Sequence, residues 1–387
     1  MSHWLSQLRD DLDQRRLHHL ERRLAPVDRC ARLVQRGGRT LLNLASNDYL
    51  ALASHPHLVE AVIEAAKRHG VGSGASRLVT GDLTVHQQVE SRFADFKHAE
   101  AALLLPTGYM ANLAVLTTLA ARGDLICLDR LNHASLIDAA QASGAEVRVY
   151  PHNNLDKLAR LLERSPEARR RFIVTDSVFS MDGDTADLAA LCDLRDEYRA
   201  ILVVDEAHGT GVLGPTGAGL AEHLNLADRI DVTISTASKA LGSLGGLVTA
   251  PRAVVDTLIN HARPFIYTTA VPPTQAAAIS AALDVVASEP ARRLRLGVLS
   301  SLLRAALQKN GWPVPEGVTP IVPLVVGEPD AALRLAQKLE VAGFLVPAIR
   351  PPTVPPNSAR LRITLRCDLH DDDLLRLAAA IGSPARA

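Results

Sequence analysis

Between residues 55 and 280, short apolar runs alternate with stretches whose apolar residues recur at helical spacing. The runs cover residues 101–105, 125–128, 147–150, 172–175, 201–204, 232–235 and 246–249. Helical stretches at 111–121, 134–143 and 188–198 fall between them. That alternation predicts an α/β fold: a large, mainly parallel sheet with helices on both faces. Upstream, Leu5, Leu8, Leu12, Leu17, Leu20 and Leu24 predict one amphipathic helix over 5–24 with a solvated basic face. A short strand at 39–44 and the polar turn Ser46-Asn47-Asp48 follow. The last hundred residues change character. Two helical patterns flank 321–326, a proline-rich segment occupies 350–356, 361–366 alternates with period two, and a helix closes the chain. These boundaries predict an N-terminal helix and arm (1–45), a large domain (46–285) and a smaller C-terminal α+β domain (286–387) that packs with the arm.

Composition narrows the class. At 387 residues and 47% apolar content the chain can bury a large core. Lys plus Arg equals Asp plus Glu at 42 each, so no basic excess points to nucleic acid. Cys30, Cys127, Cys192 and Cys367 are far apart and form no CxxC pair, which predicts neither a zinc site nor a disulfide framework. The N-terminus has no apolar core of a signal peptide. No run approaches the roughly 18 apolar residues of a membrane span. A soluble cytoplasmic protein with no membrane partner is expected.

In open α/β sheets, ligands bind at the carboxyl ends of the strands. The run at 201–204 is followed by Asp205-Glu206-Ala207-His208, the letters of a helicase DEAH box. That reading requires a phosphate loop GxxxxGK[ST], and the dipeptide Gly-Lys occurs nowhere in the chain. A metal site from Asp205 and His208 lacks a suitably spaced third ligand, so no metal is expected. After 101–105 comes Pro106-Thr-Gly108-Tyr109 at a helix start, where free N–H groups and the positive dipole end suit a phosphate. After 125–128 comes His133, and after 172–175 comes Ser180. After 232–235 come Thr236, Ser238 and Lys239, the lysine flanked by small and apolar residues. Desolvation lowers a lysine's pKa and makes it a usable amine nucleophile. A carboxylate, a histidine, hydroxyls, a phosphate-suited helix start and one confined lysine are the groups that a pyridoxal 5′-phosphate (PLP) site demands.

Taken together, these residues resemble fold-type I PLP enzymes, and among them the α-oxoamine synthases. The most specific stretches are Asn47-Asp-Tyr-Leu50, Pro106-Thr-Gly-Tyr-Met-Ala-Asn112, Asn132-His-Ala-Ser135, Val178-Phe-Ser-Met-Asp-Gly183, Val204-Asp-Glu-Ala-His-Gly-Thr-Gly211, Ser238-Lys-Ala-Leu-Gly242, Thr353-Val-Pro355 and Arg360-Leu-Arg362. The resemblance implies an acyltransferase and a homodimer with PLP in Schiff-base linkage to Lys239. It further implies Asp205 at the ring nitrogen, His208 at the ring's phenolic oxygen and His133 stacked on the ring. Gly108, Tyr109, Thr236 and Ser180 become cofactor contacts. Arg362 becomes the grip on the amino-acid carboxylate, and Asn47, Thr353 and Arg22 become substrate contacts. The branch most resembled serves biotin biosynthesis, joining L-alanine to a pimeloyl thioester of coenzyme A or of a carrier protein. Glycine-using and serine-using sister branches are the alternatives. Two departures stand out: Ala75, and Asn357-Ser358, where many members have glycine and Gly-Thr. Alanine at Ala75 would be strained if that position required positive φ.

Overall fold

A computed structural model describes residues 3–29 and 31–384. Cys30 therefore lies outside the described residues, while Cys127 and Cys192 are buried free thiols. The chain divides into two compact units. One comprises Asp48–Ser180 and Asp184–Arg295; the other comprises the residues up to Asn47, Met181–Gly183, and those from Leu296 onward.

Among the described residues the strands are β1 Leu33–Arg36, β2 Arg39–Asn43, β3 Ala101–Leu105, β4 Leu125–Asp129, β5 Glu146–Tyr150, β6 Arg171–Asp176, β7 Ile201–Asp205, β8 Val232–Thr236, β9 Gly246–Ala250, β10 Ile321–Gly327, β11 Phe344–Leu345, β12 Ala348–Ile349 and β13 Ala359–Thr364. In the larger unit, seven of them form one sheet in the order β3-β9-β8-β7-β6-β4-β5. Neighbours from β8 to β5 pair in parallel, and β9 runs antiparallel to both β3 and β8. The apolar runs are what make the sheet: Leu103, Leu105, Val174, Val203, Ile234 and Val248 lie in one core cluster with Ala111, Val115 and Leu116 of the helix Gly108–Leu119. Residues buried on both faces must satisfy their backbone groups within the ladder, which favours continuous apolar strands over alternating ones.

The smaller unit has two three-stranded sheets, β1-β2-β11 and β10-β13-β12. Every residue of β13 is buried, so the polar face formed by Arg360, Arg362 and Thr364 faces protein rather than water. The N-terminal helix spans His3–Leu17 and buries none of its residues. It stops short of the 5–24 expected because His19 adopts φ 57°, with Leu20 N–H donating to Arg15 O (2.8 Å) and His19 N–H to Arg16 O (3.1 Å). That pair of bonds is a Schellman closure, which satisfies the last carbonyls and turns the chain aside before Leu20 and Leu24. Among the described residues no helix is long and apolar enough to cross a membrane.

Candidate active site

Four adjacent parallel strands end on polar residues at the same edge of the large sheet: Asp129 on β4, Asp176 on β6, Asp205 on β7 and Thr236 on β8. Asp176 and Asp205 are register partners. Asp205 is 5% exposed. Its Oδ2 accepts from Asn112 Nδ2 at 2.7 Å and its Oδ1 from Ala207 N–H at 2.8 Å. His208, also buried, shares a 2.6 Å hydrogen bond between its Nδ1 and the Tyr49 hydroxyl. Between them, the fully buried Glu206 accepts from Ser177 Oγ (2.7 Å) and Ala221 N–H (2.9 Å). A Cβ at Gly209 would lie 2.0 Å from that carboxylate, so glycine is what lets the turn close over it. Side chains from distant segments thus pin both Asp205 and His208, and outer support of this kind fixes the orientation of the groups that meet a ligand.

His133 caps the helix Ala134–Ala142 and is solvent-exposed. Its N–H donates to Asp176 Oδ2 at 2.8 Å, and its Nδ1 lies 2.7 Å from Ser135 Oγ. The surrounding protein penalises the imidazolium and lowers the pKa, with Asp205 pulling it up and Lys239 pushing it further down. Asp176 is held well above the usual carboxyl range, chiefly by burial and then by Asp205, against the opposing His133 N–H and Lys239. Lys239 and Asp205 therefore act on the same imidazole and the same second carboxyl. The lysine is half-buried, and Gly242 N–H donates to its carbonyl at 2.9 Å.

Gly108 opens the helix Gly108–Leu119, whose N-cap Thr107 accepts from Met110 N–H at 3.1 Å. The N–H groups of Gly108 and Tyr109 precede any intrahelical acceptor, as first-turn donors do. The turn rests on β9: a Cβ at Gly246 would stand 2.3 Å from Thr107 O. Thr236 Oγ1 lies beside Gly108, 3.4 Å from where its Cβ would be, and 2.8 Å from Ser238 Oγ. The Tyr109 hydroxyl donates to Asp138, which raises the phenol's pKa. Ser180 is half-buried at the end of the segment that follows β6.

The residues expected at the substrate lie in the smaller unit and pair with one another. Arg362 Nη1 donates to Asn47 Oδ1 and to Thr364 Oγ1, both at 2.9 Å, and Arg22 Nη2 donates to Thr353 Oγ1 at 3.1 Å. Both sequence departures have a physical account. Positive φ falls on Gly74 (70°) and not on Ala75, so the alanine is unstrained. Asn357 itself takes φ 59°, a region that asparagine tolerates better than other side chains.

Three residues of this edge carry no role in the sequence reading. Asn112 bridges Asp205 and Ser135, Asp176 anchors His133, and Tyr49 holds His208. Asp176 was signalled by ending an apolar run, and Tyr49 and Asn112 by lying within stretches that carry the family resemblance, without their partners. The other partnerships span 93 and 159 residues and leave no local pattern.

The donor set suits PLP: an acid for a ring nitrogen, an imidazole for a ring hydroxyl, first-turn amides with Thr236 and Ser238 for a phosphate, and an amine. The comparisons agree. The family profile "Aminotransferase class I and II" matches residues 39–381. The 8-amino-7-oxononanoate synthase of Anaeromyxobacter dehalogenans is 46% identical over 98% of this chain and 95% of its own length. Serine palmitoyltransferase from S. paucimobilis, solved with a bound PLP–myriocin aldimine, superposes with a TM-score of 0.92 at 26% identity, covering 97% of this chain and 96% of that one. The 8-amino-7-oxononanoate synthase of Francisella tularensis gives 0.77 at 30% identity, over 88% and 96%. The fold is thus the fold-type I fold of PLP enzymes, and the chain belongs to the class I and II aminotransferase family, in its 8-amino-7-oxononanoate synthase branch.

Proposed function

We propose that the chain condenses L-alanine with a pimeloyl thioester, releasing CO₂ and the thiol carrier and forming 8-amino-7-oxononanoate for biotin biosynthesis. One observation carries the site assignment: Asp176, Asp205 and Thr236 end adjacent strands at one edge of the sheet, and Lys239 follows Thr236 by three residues in the loop that leaves that edge. PLP, when bound, supplies an electron sink for the pair released at the amino acid's Cα. The protein's own residues do the rest. Asp205, already accepting from Asn112 and Ala207, would accept from the cofactor's ring N–H. His208, fixed by Tyr49, would donate to the ring oxygen. The first-turn amides of Gly108 and Tyr109 with Thr236 would hold the phosphate, and Ser180 would add a polar contact.

Lys239 would hold the cofactor covalently, and its amine would move the proton at the amino acid's Cα. Arg362 takes the amino-acid carboxylate, as a guanidinium steadied by Asn47 and Thr364 is suited to do. Asn47, Thr353 and Arg22 contact substrate, and His133 donates a hydrogen bond to the acyl oxygen. The working form is a cytoplasmic homodimer. Either coenzyme A or a carrier protein can present the acyl group.

Lys239→Ala tests the assignment. The absorbance of the Lys239 Schiff base is lost from the cofactor-loaded protein and product formation falls by about a thousandfold or more. Ordinary turnover in that variant overturns the reading. Offering L-alanine and glycine in parallel to the wild type separates this branch from its glycine-using sister, because only the correct amino acid perturbs the visible spectrum at low concentration and yields product.

A further inference from the structure

Asn112 and Ser135 form an unbroken hydrogen-bond path between Asp205 and His133. Asn112 Nδ2 lies 2.7 Å from Asp205 Oδ2 and 2.8 Å from Ser135 Oγ. Ser135 Oγ lies 2.7 Å from His133 Nδ1, and Ser135 N–H donates to the same nitrogen at 3.3 Å. Both side chains are buried. We propose that Asn112 and Ser135 are positioning residues that lock His133 as the neutral tautomer with its proton on Nε2. The proposal rests on the roles assigned above to Asp205 and His133.

The direction of every bond in the path follows from counting hydrogens. A carboxylate oxygen only accepts, so the nitrogen of the Asn112 amide must face Asp205. The same NH₂ group then gives its second hydrogen to Ser135 Oγ. A hydroxyl has one hydrogen. With Oγ accepting from Asn112, that hydrogen goes to His133 Nδ1. Nδ1 receives two donors and has no place for a proton of its own, so the ring proton resides on Nε2.

The charged groups around the ring leave this order intact. Desolvation by the surrounding protein and Lys239 oppose the imidazolium, while Asp205 and Asp138 favour it, and the net effect lowers the pKa. Asp176 acts on the main chain of His133 rather than on its ring. The amide oxygen of Asn112 is buried without a hydrogen-bond partner. Burying that oxygen is unfavourable, and the two donors of the same amide are what the site gains from it. A neutral imidazole so held offers Nε2–H as a donor to an oxygen that gains negative charge, with no pKa crossing during turnover.

Nitrogen-15 NMR of histidine-labelled, cofactor-loaded enzyme reads the tautomer directly, with the His133 signals identified by their loss in His133→Gln. The wild type shows neutral imidazole with Nε2–H across the pH range of turnover. In Ser135→Ala only the main-chain N–H still donates to Nδ1, so the tautomer preference weakens. The acidic limb of the kcat/KM profile moves to higher pH, and kcat falls about tenfold. Asn112→Asp reverses the path: the new acid shares one proton with Asp205 and has none left for Ser135, which now donates to it and accepts from the ring, so the proton moves to Nδ1. A wild-type spectrum with Nδ1–H or imidazolium overturns the proposal, whether or not the variants fold. So does a Ser135→Ala enzyme whose tautomer populations and acidic limb both match the wild type. Because the NMR readout does not depend on turnover, absence of alanine-dependent condensation would count against the proposed function alone.

Discussion

Asp124 and Asp176 are both buried acids of the large sheet, one just before β4 and the other at the end of β6. Their surroundings are opposite. Asp124 accepts from Arg169 at 2.9 and 2.8 Å, from Arg170 at 2.8 Å and from Ala121 N–H at 2.9 Å. Burial alone would raise its pKa, but the two guanidiniums outweigh burial and hold it well below the ordinary carboxylate range. Asp176 accepts one main-chain N–H and has a second acid as its strand neighbour, so burial prevails and its pKa goes up. Burial by itself does not distinguish a structural acid from a functional one. The balance of charge around it does: Asp124 at the amino edge is neutralised by its arginines, while Asp176 and Asp205 at the carboxyl edge are left for other groups to use.

The contrast breaks first at Asp205. Asp205→Ala should lower kcat/KM by about a thousandfold while the fold persists; steady-state kinetics with both substrates checks this, and a loss under about tenfold would erase the difference between the two edges. Asp124→Ala should do the reverse, leaving kcat/KM in place while costing about 2 kcal/mol in urea unfolding, discounted because its arginines reach solvent. With a folded pKa below the unfolded value near ~3.9, Asp124 contributes stability above that pH and loses it as pH falls through the folded value.

Asp176→Asn sharpens the comparison. A raised pKa means that the contribution of Asp176 is complete below its unfolded pKa and is lost as pH rises through the folded one. The neutral variant lacks that loss, so its melting temperature should gain on the wild type from about pH 5 to about pH 8; a gap that is flat with pH contradicts the assignment. The smallest effect is expected at Lys97, buried against Thr210 Oγ1 and Ala218 O. Burial lowers its pKa to about 8 despite Glu206, Glu222 and Asp205. The folded state then binds fewer protons than the unfolded one between that value and about 10.4, so stability rises with pH in this window. Lys97→Met should remove that slope in a thermal melt series.

Strands were the most legible part of the fold because their residues are buried on both faces and carry the signal in every position. The seven predicted runs fall within one or two residues of β3 to β9. Strand direction was not legible: nothing in 246–249 says that β9 runs opposite to β8. The 5–24 helix was overextended because leucine spacing continues past the point where His19 turns left-handed. Residues at strand ends, such as Asp205 and His208, were legible as chemistry because an apolar run points at them. Asn112 and Tyr49 stood in stretches that carry the family resemblance, but their roles were not legible, since their partners come from distant segments and only the folded chain brings them together.

The reversed strand has a mechanical consequence. Because β9 lies next to β8 and runs back along it, the segment 237–245 that carries Lys239 is a loop with both ends sewn into the sheet, and Ala237 N–H closes its base on Gly245 O at 2.9 Å. A crossover to a parallel neighbour would have given the amine a long leash. Here the leash is short and tied twice, so lengthening it by a residue or two would displace the nucleophile while leaving the hydrophobic scaffold untouched.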